Sequence, residues 1–409
     1  MKLMIVSIGG SPEPLKKSLA EHLPGRVVFF ASHDSAPMTG DILQSLDFKP
    51  KVEFELTENP NSLFESYKAA RRCVDRAARS GVEPADTVVD YTGGTKVMTA
   101  ALILATVGCA YRFNYVGGDS RSKNGLGIVE NGHEVMYGEM NPWAAFAEEE
   151  RRQVVLLFNR RRFSAVIEII RMATQRDLPR EIKEFFRFVL PLATGLLLWE
   201  QFNHEKALDS IGKVIGFLND YGKENSDPQW DAFRASVEQC RERLGRIVAE
   251  TDRLKRLHPI LVDDLMNNAR RRISDHRYDD AAARIYRALE LYGQILFERA
   301  AGCSNGSATR DRIPSALREE FVHKYADAQT GLLKLPLQAT FRCLEEMGEE
   351  AGRRFFSQIK AIKSIQSARN QSILAHGIQP VTEKAALTIL DTVTDFVQVK
   401  EVFEFPLLP

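Results

Sequence analysis

Through about its first 140 residues this chain alternates short apolar runs with helical stretches, and then the alternation stops. Leu3–Ile8, Arg26–Ala31, Val52–Leu56, Thr87–Tyr91 and Tyr111–Val116 have the length of strands, and the first two carry the near-continuous apolar runs of strands covered on both faces. Between them, Glu13–His22, Asn61–Ser80 and Lys96–Val107 read as helices. Strands apolar on both faces need helices on both sides, so residues 1–140 predict a mostly parallel, Rossmann-like α/β domain. Leu126–Glu130 and His133–Tyr137, around Asn131-Gly132, add a hairpin signal at its end.

After Asn141-Pro142 the texture is helical almost throughout. Glu148–Phe158, Phe163–Gln175, Arg180–Phe202, Glu205–Asp220 and Trp230–Leu257 are compatible with amphipathic helices, and the polar run Gly222–Pro228 reads as a linker. His258-Pro259 marks a boundary before a last segment that reads as helical to about Val402. The expected division is therefore an α/β domain over 1–140, an all-α connecting region over 141–257 and an all-α domain over 258–409. Ala165, Ala207 and Ala281 stand at similar helix starts but keep no fixed spacing, so a helical repeat array is rejected.

Composition narrows the function classes. Fifty-five basic residues balance fifty-five acidic ones, which removes a large global positive field as an argument for nucleic-acid binding and leaves only local patches. The Arg160–Arg162, Arg270–Arg272 and Arg353-Arg354 runs are candidates, though on helices such runs are more often ordinary solvated faces, and Arg353-Arg354 is the best candidate among them for phosphate contacts. Five scattered cysteines without a C-x-x-C pair argue against a disulfide framework or a structural zinc site and favour a reducing, cytoplasmic setting. The first residues make no signal peptide. The greasiest stretch, Val189–Trp199, is broken by Pro191 and Gly195 and is far shorter than the roughly 20 residues that span a bilayer, so no membrane partner is expected.

Two short segments carry chemistry. In the first, the apolar strand Val88–Asp90 runs through Tyr91-Thr92-Gly93-Gly94-Thr95 directly into a helix beginning at Lys96. Adjacent glycines allow close backbone approach, the helix start offers unpaired N–H groups to an anion, and Lys96 adds a charge. The Walker A and dinucleotide-fingerprint spacings are both absent. Gly9-Gly10-Ser11, after the first strand, is a second turn expected at the same carboxyl edge of the sheet. Read from residues alone, the Gly-Gly pair is equally a tight connection and Thr95 an N-cap.

In the second, Ser367–Gly377, a helix is expected from about Phe355 to His376, stopped by Gly377 with Pro380 beyond. Arg369 and His376 would then share one face, roughly 10 Å apart along the axis. A histidine at a helix C-terminus is suited to proton transfer at an RNA 2′-hydroxyl, Arg369 to holding phosphate charge, and Asn370 to positioning. Capping or solvation explains the same residue types without any catalysis.

Residues Asp90–Lys96 with Met98 resemble the signature of the CARF domains of CRISPR-associated proteins, over about residues 1–140. The resemblance implies a dimerising sensor of cyclic oligoadenylate, with Thr92, Gly93, Gly94, Thr95 and Lys96 contacting the ring and Gly10 and Ser11 joining them from the first loop. Arg369-Asn370 followed by Leu374-Ala375-His376-Gly377 resembles the R-x4-6-H motif of HEPN ribonucleases, here with six intervening residues. The Asp279–Glu290 helix also looks like an early helix of the effector domain in one CARF subfamily, with Arg284, Arg287 and Glu290 read first as surface or structural ion-pair residues and, as the alternative, as residues approaching the active site.

Together these imply a CARF–HEPN ribonuclease of type III CRISPR systems. Such a protein is a homodimer that cuts single-stranded RNA without a metal, leaves 2′,3′-cyclic phosphate ends, and needs no cofactor beyond a tetra- or hexa-adenylate ring as activator. Two rivals are a sensor joined to a non-catalytic helical adaptor and a sensor joined to a metal-dependent nuclease. The latter needs carboxylates and a lysine on a strand, for which Glu181-Ile182-Lys183 is the nearest match.

Overall fold

The computed structural model describes residues 2–120, 129, 132–138, 143–176, 178–224, 227–374 and 377–409. The chain forms two compact units, one of Met1–Arg152 with Arg171–Lys183 and one of Gln153–Ile170 with Glu184–Pro409.

The first unit runs β1 (Leu3–Ser7), α1 (Glu13–His22), β2 (Arg26–Ser32), α2 (Thr39–Gln44), β3 (Lys51–Thr57), α3 (Leu63–Arg79), β4 (Thr87–Asp90), α4 (Lys96–Thr106), β5 (Arg112–Gly118) and β6 (Glu134–Gly138). The sheet order is β3-β2-β1-β4-β5-β6, parallel except for β6, which runs antiparallel to β5. Alternation within the apolar strands covers both faces. Leu3, Ile5, Val28, Phe30 and Val89 meet Ala69, Cys73 and Val74 of α3 and Met98 and Leu102 of α4. Met4, Val6, Val27, Phe29 and Val88 meet Leu15 and Leu19 of α1 and Ile42 of α2. Each such large side chain contributes about 1.5–3 kcal/mol on leaving water. The Rossmann-like expectation is met.

Only the second half of the expected hairpin is described: His133–Tyr137 falls in β6, which pairs with β5, with Tyr115 opposite Tyr137, and Tyr91, Tyr115 and Tyr137 stack with centroids 5.7 and 6.2 Å apart. The expected partner strand Leu126–Glu130 lies outside the described residues except for Val129.

One ion cluster in this unit sets a pH dependence. Burial alone would raise the Glu55 carboxyl, but hydrogen bonds from Arg72 (Nε to Oε2, 2.6 Å) and Arg76 hold it below its ordinary value. A depressed folded-state pKa stabilises the fold above the unfolded value, near 4.3, and that contribution is lost as pH falls through the folded value. Glu55→Gln is therefore expected to be less stable than wild type at about pH 7, and by a smaller margin near pH 3. Urea unfolding at the two pH values checks this.

The helices that follow are α5 (Trp143–Asn159), α6 (Phe163–Ala173), α7 (Arg180–Glu200), α8 (His204–Gly212), α9 (Val214–Glu224), α10 (Pro228–Glu250), α11 (Pro259–Ser274), α12 (Tyr278–Ala301), α13 (Arg318–Tyr325), α14 (Leu337–Glu346), α15 (Glu350–Ser357), α16 (Ile359–Gln371) and α17 (Glu383–Val397). Several helix boundaries differ from expectation. The single helix expected over Glu205–Asp220 is two, and α9 runs into the polar stretch read as a linker. Asp227 caps α10, accepting from the Gln229 N–H at 2.8 Å, and α10 ends before Asp252, Arg253 and Leu254, all with positive φ, so it stops short of Leu257. After α17 the chain is irregular, not helical to Val402, because side chains of the second unit claim its backbone. Asn267 accepts from the Phe403 N–H at 3.1 Å, Asn159 brackets Leu408 at 2.7 and 2.8 Å, and Trp199 packs on Phe403 and Phe405.

Each of the three arginine runs commits at least one side chain to packing within this unit. Arg271 is buried, pairs with Glu200 at 2.5 Å and stacks on Phe405 at 3.9 Å, while Arg272 pairs with the other Glu200 oxygen. Arg161 pairs with Asp275 at 2.8 Å. Arg354 donates to the Asp395 and Phe396 carbonyls at the end of α17, both at 3.2 Å, so it satisfies helix-end acceptors. Glu181 and Lys183, the fragment considered for a metal nuclease, lie in the first turn of helix α7 and not on a strand.

Candidate functional site

In the first unit the sheet order reverses at β1, whose neighbours are β2 on one side and β4 on the other. The crevice at the carboxyl ends of such strands is where ligands bind in open α/β sheets. The turns after β1 and β4 meet there, backbone to backbone. A Cβ on Gly9 would stand 2.6 Å from the Gly94 nitrogen, and one on Gly93 would overlap the Ser7 carbonyl oxygen, so neither position tolerates a side chain. Gly94 has φ +87°, a conformation glycine adopts without strain. Gly10 is exposed, with open space around its Cα, and Ser11 is half-buried beside it.

The threonines are structural as well as local to the turn. Thr95 caps α4, its hydroxyl accepting from the Met98 N–H at 3.1 Å and donating to the Pro60 carbonyl at 2.7 Å. Thr92 accepts from the Val116 N–H at 2.8 Å. Their hydroxyls thus hold the loop, and the N–H groups of Gly93, Gly94, Thr95, Lys96 and Val97 donate to no other group among the described residues. Lys96 is exposed at the first position of α4. Free N–H groups at a helix start, with a lysine beside them, attract anionic oxygens.

Two residues that sequence reading gave no role build this turn. Asp90 is buried; its Oδ1 accepts from the Thr92 N–H at 2.9 Å, and its Oδ2 takes hydrogen bonds from Ser18 and from Asn114 at 2.6 Å. Ser7 donates to the Gly93 carbonyl at 2.8 Å. The signal for Asp90 was a carboxylate ending an apolar strand, which must be satisfied internally. Ser7 left no such signal.

In the second unit the expected helix Phe355–His376 is interrupted at Gln358 and ends at Gln371. The chain then doubles back: the Gln371 carbonyl accepts from the Gln379 N–H at 3.1 Å, and the Gly377 N–H reaches the Ser372 carbonyl at 3.2 Å. A Cβ on Gly377 would overlap the Gln371 carbonyl, so the glycine serves a close return and not a helix stop after His376. His376 lies outside the described residues. Arg369, in the last turn of α16, is therefore not shown to share a helix face with it.

Arg369 is half-buried. Its Nη1 donates to the Asn370 Oδ1 at 3.0 Å, and its guanidinium lies 5.4 Å from the centroid of the Tyr286 ring of α12. Burial, with the Glu290 carboxylate nearby, pushes the Tyr286 hydroxyl above its usual range, which keeps it neutral under the cation. The guanidinium has no carboxylate partner among the described residues, so most of its N–H fork is left to an incoming anion. Arg284 and Arg287 pair with Asp280 and Glu290 on their own helix, as surface ion-pair residues do. Among the described residues no group of three His, Cys, Asp or Glu side chains is placed to hold a metal ion.

Two family models match consecutive parts of the chain: the Csm6 6H domain over residues 146–244 and the Csm6 HEPN domain over residues 250–400. Together they span well over half its length. The chain belongs to the Csm6 family. With the α/β first unit, this is the CARF–HEPN order of type III CRISPR proteins that the two motifs resemble.

The fold agrees: 97% of the chain and 94% of the chain of Enterococcus italicus Csm6, solved bound to cyclic hexa-2′-fluoro-hexa-dAMP, superpose with a TM-score of 0.57 at 12% identity. Can2 from Sulfobacillus thermosulfidooxidans, solved with cyclic tetra-adenylate, matches 51% of this chain and 68% of its own at 11% identity, but its TM-score of 0.26 is too low to bear on the fold. No curated protein matches. For this Csm6-family chain, Tyr286 is the side chain sequence reading missed beside the R-x4-6-H motif. Nothing local in the sequence ties a tyrosine of α12 to the last turn of α16.

Proposed function

We propose that this protein is an endoribonuclease of single-stranded RNA, switched on by a cyclic oligoadenylate bound in its α/β unit. The observation that carries the reading is the Arg369–Asn370–Tyr286 cluster, an arginine with most of its donors unclaimed, inside the segment matching the Csm6 HEPN domain. In the α/β unit, the unpaired N–H groups of Gly93–Val97 with Lys96, flanked by Gly10 and Ser11, suit the phosphates of the ring, and Thr92 and Thr95 set the loop's shape.

In the reaction the RNA 2′-oxygen attacks the adjacent phosphorus while the bond to the 5′-oxygen breaks. The products are a 2′,3′-cyclic phosphate and a 5′-hydroxyl. His376 moves the proton, taken from the 2′-hydroxyl or given to the leaving oxygen. Arg369 stabilises the charge on the non-bridging oxygens, and Asn370 orients the guanidinium. No metal takes part in these steps. The working form is a cytoplasmic homodimer in which two such clusters face one site. The exposed Ile373, Leu374 and Ile378 beside the motif, and Leu387 on α17, support burial against a second copy. Ring binding shifts the population toward the dimer geometry in which the clusters converge.

The test is cleavage of a fluorescent single-stranded RNA by wild-type protein in EDTA, with cyclic tetra-adenylate, cyclic hexa-adenylate or neither. Cleavage under one ring and not without it is expected, undiminished by EDTA. Cleavage that stops in EDTA and returns with magnesium overturns the metal-free chemistry. No cleavage under either ring overturns the ribonuclease reading in favour of a sensor with an adaptor.

A further inference from the structure

The segment carrying His376 is tied at both ends to one carboxylate of another helix. Asp279 lies in the first turn of α12, where the helix dipole favours its charge. Its Oδ1 accepts from the Ser372 hydroxyl at 2.6 Å. Both its oxygens stand 3.3 Å from the Val381 N–H. Ser372 therefore enters the segment, and Val381 leaves it, on the same anchor. The Ser372 hydroxyl also accepts from the Leu374 N–H at 3.2 Å, and Ser372 is buried at 2% exposure while Ile373 and Leu374 are 69% and 56% exposed. A buried hydroxyl between two exposed apolar side chains and a carboxylate is a fixed point, not a solvated loop residue.

The same helix registers the other half of the motif. Tyr286, under Arg369, lies two turns beyond Asp279 on α12. Seven residues separate each pair, Asp279 from Tyr286 and Arg369 from His376. The axial span of the first pair is about 10 Å. One rigid element thus sets Arg369 through a ring face and the His376 segment through hydrogen bonds.

We infer that Asp279 is a positioning residue of the RNA-cleaving site, holding the Ser372–Val381 segment so that His376 and Arg369 act on one phosphate. The inference rests on the ribonuclease reading above. Asp279 touches no reacting atom, so its removal acts on the turnover rate and not on RNA affinity.

The experiment measures kcat and KM for RNA under saturating activating ring in wild type, Asp279→Ala, Asp279→Asn and Ser372→Ala. Thermal melts and amide hydrogen exchange of the same proteins accompany it. For Asp279→Ala, kcat is expected to fall about 100-fold with KM unchanged, the scale of a misplacement near 1 Å. Ser372→Ala is expected to fall about 10-fold, and Asp279→Asn, which keeps one acceptor oxygen, to recover part of the loss. The double variant Asp279→Ala/Ser372→Ala is expected to be no worse than Asp279→Ala, since both remove one tie. Exchange should accelerate at Gly377, Gln379 and Val381.

Unchanged kcat in Asp279→Ala overturns the inference, as does a loss confined to KM or strict additivity of the two substitutions. If Asp279→Ala fails to fold, Ser372→Ala and Asp279→Asn decide by the same criteria. A wild type that cuts nothing under either ring identifies itself in the control lane: the ribonuclease reading fails there, and this role falls with it.

Discussion

Arg369→Ala and His376→Ala are each expected to lower ring-dependent RNA cleavage by about three orders of magnitude, with ring binding unchanged. The two losses have different causes and should be separable. Arg369 offers a planar fork of donors with one N–H committed to Asn370, and the ring of Tyr286 supports its face. A phosphorane-like transition state concentrates charge on the non-bridging oxygens, and a fixed guanidinium stabilises that charge without reorganising. Lysine keeps the charge but loses the fork and the stacking, so Arg369→Lys is expected to recover only a small part of the rate. His376→Ala removes the proton carrier, and what remains should respond to added imidazole, whereas the residual activity of Arg369→Ala should not. Single-turnover rates with saturating ring, with isothermal titration of the ring, distinguish these outcomes. A His376→Ala protein that cuts at the wild-type rate ends its assignment as acid or base.

How far the sequence alone reached differs between the two units, and the difference is physical. In the α/β unit, the central strands were readable because their apolar runs are covered on both faces and so show little polar alternation; Leu3–Ser7 and Thr87–Asp90 are buried throughout. The Gly-Gly turn after β4 was also readable, since few uses other than close backbone approach place two glycines between a strand and a helix. The strand pairing of β6 was not, because antiparallel addition to β5 depends on tyrosines that meet only in three dimensions. In the helical unit, amphipathic periodicity located most helices but misjudged where they stop. The end of α16 is fixed by Asp279, distant in sequence from Ser372, and a local reading of Gly377 and Pro380 cannot contain that bond. The tail after α17 failed for the same reason, its backbone being taken by Asn267 and Asn159. The arginine runs were not legible either as surface or as interior, since charge in sequence says nothing of whether Glu200 waits opposite Arg271 in the interior.

Gly93→Ala is expected to abolish ring activation and to destabilise the α/β unit by about 1–3 kcal/mol, the range for forcing atoms into a packed site. The added methyl would overlap the Ser7 carbonyl oxygen and crowd the Gly9 nitrogen, both backbone atoms that cannot rotate away. Relief requires the turns after β1 and β4 to part, which breaks the bond from Ser7 to the Gly93 carbonyl and moves the Thr92 contact to Val116. The unpaired N–H groups at the start of α4 then no longer converge. Gly10→Ala is the matched control: nothing lies near its Cα, so the fold should keep its stability, and any loss of ring affinity there reports contact with the ring. Denaturant unfolding of both variants, with titration of cyclic tetra- and hexa-adenylate, reads the two effects separately. If Gly93→Ala binds the ring as wild type does, the crossing of the two turns is not the ring site, and the sensor must be sought on another face of the sheet.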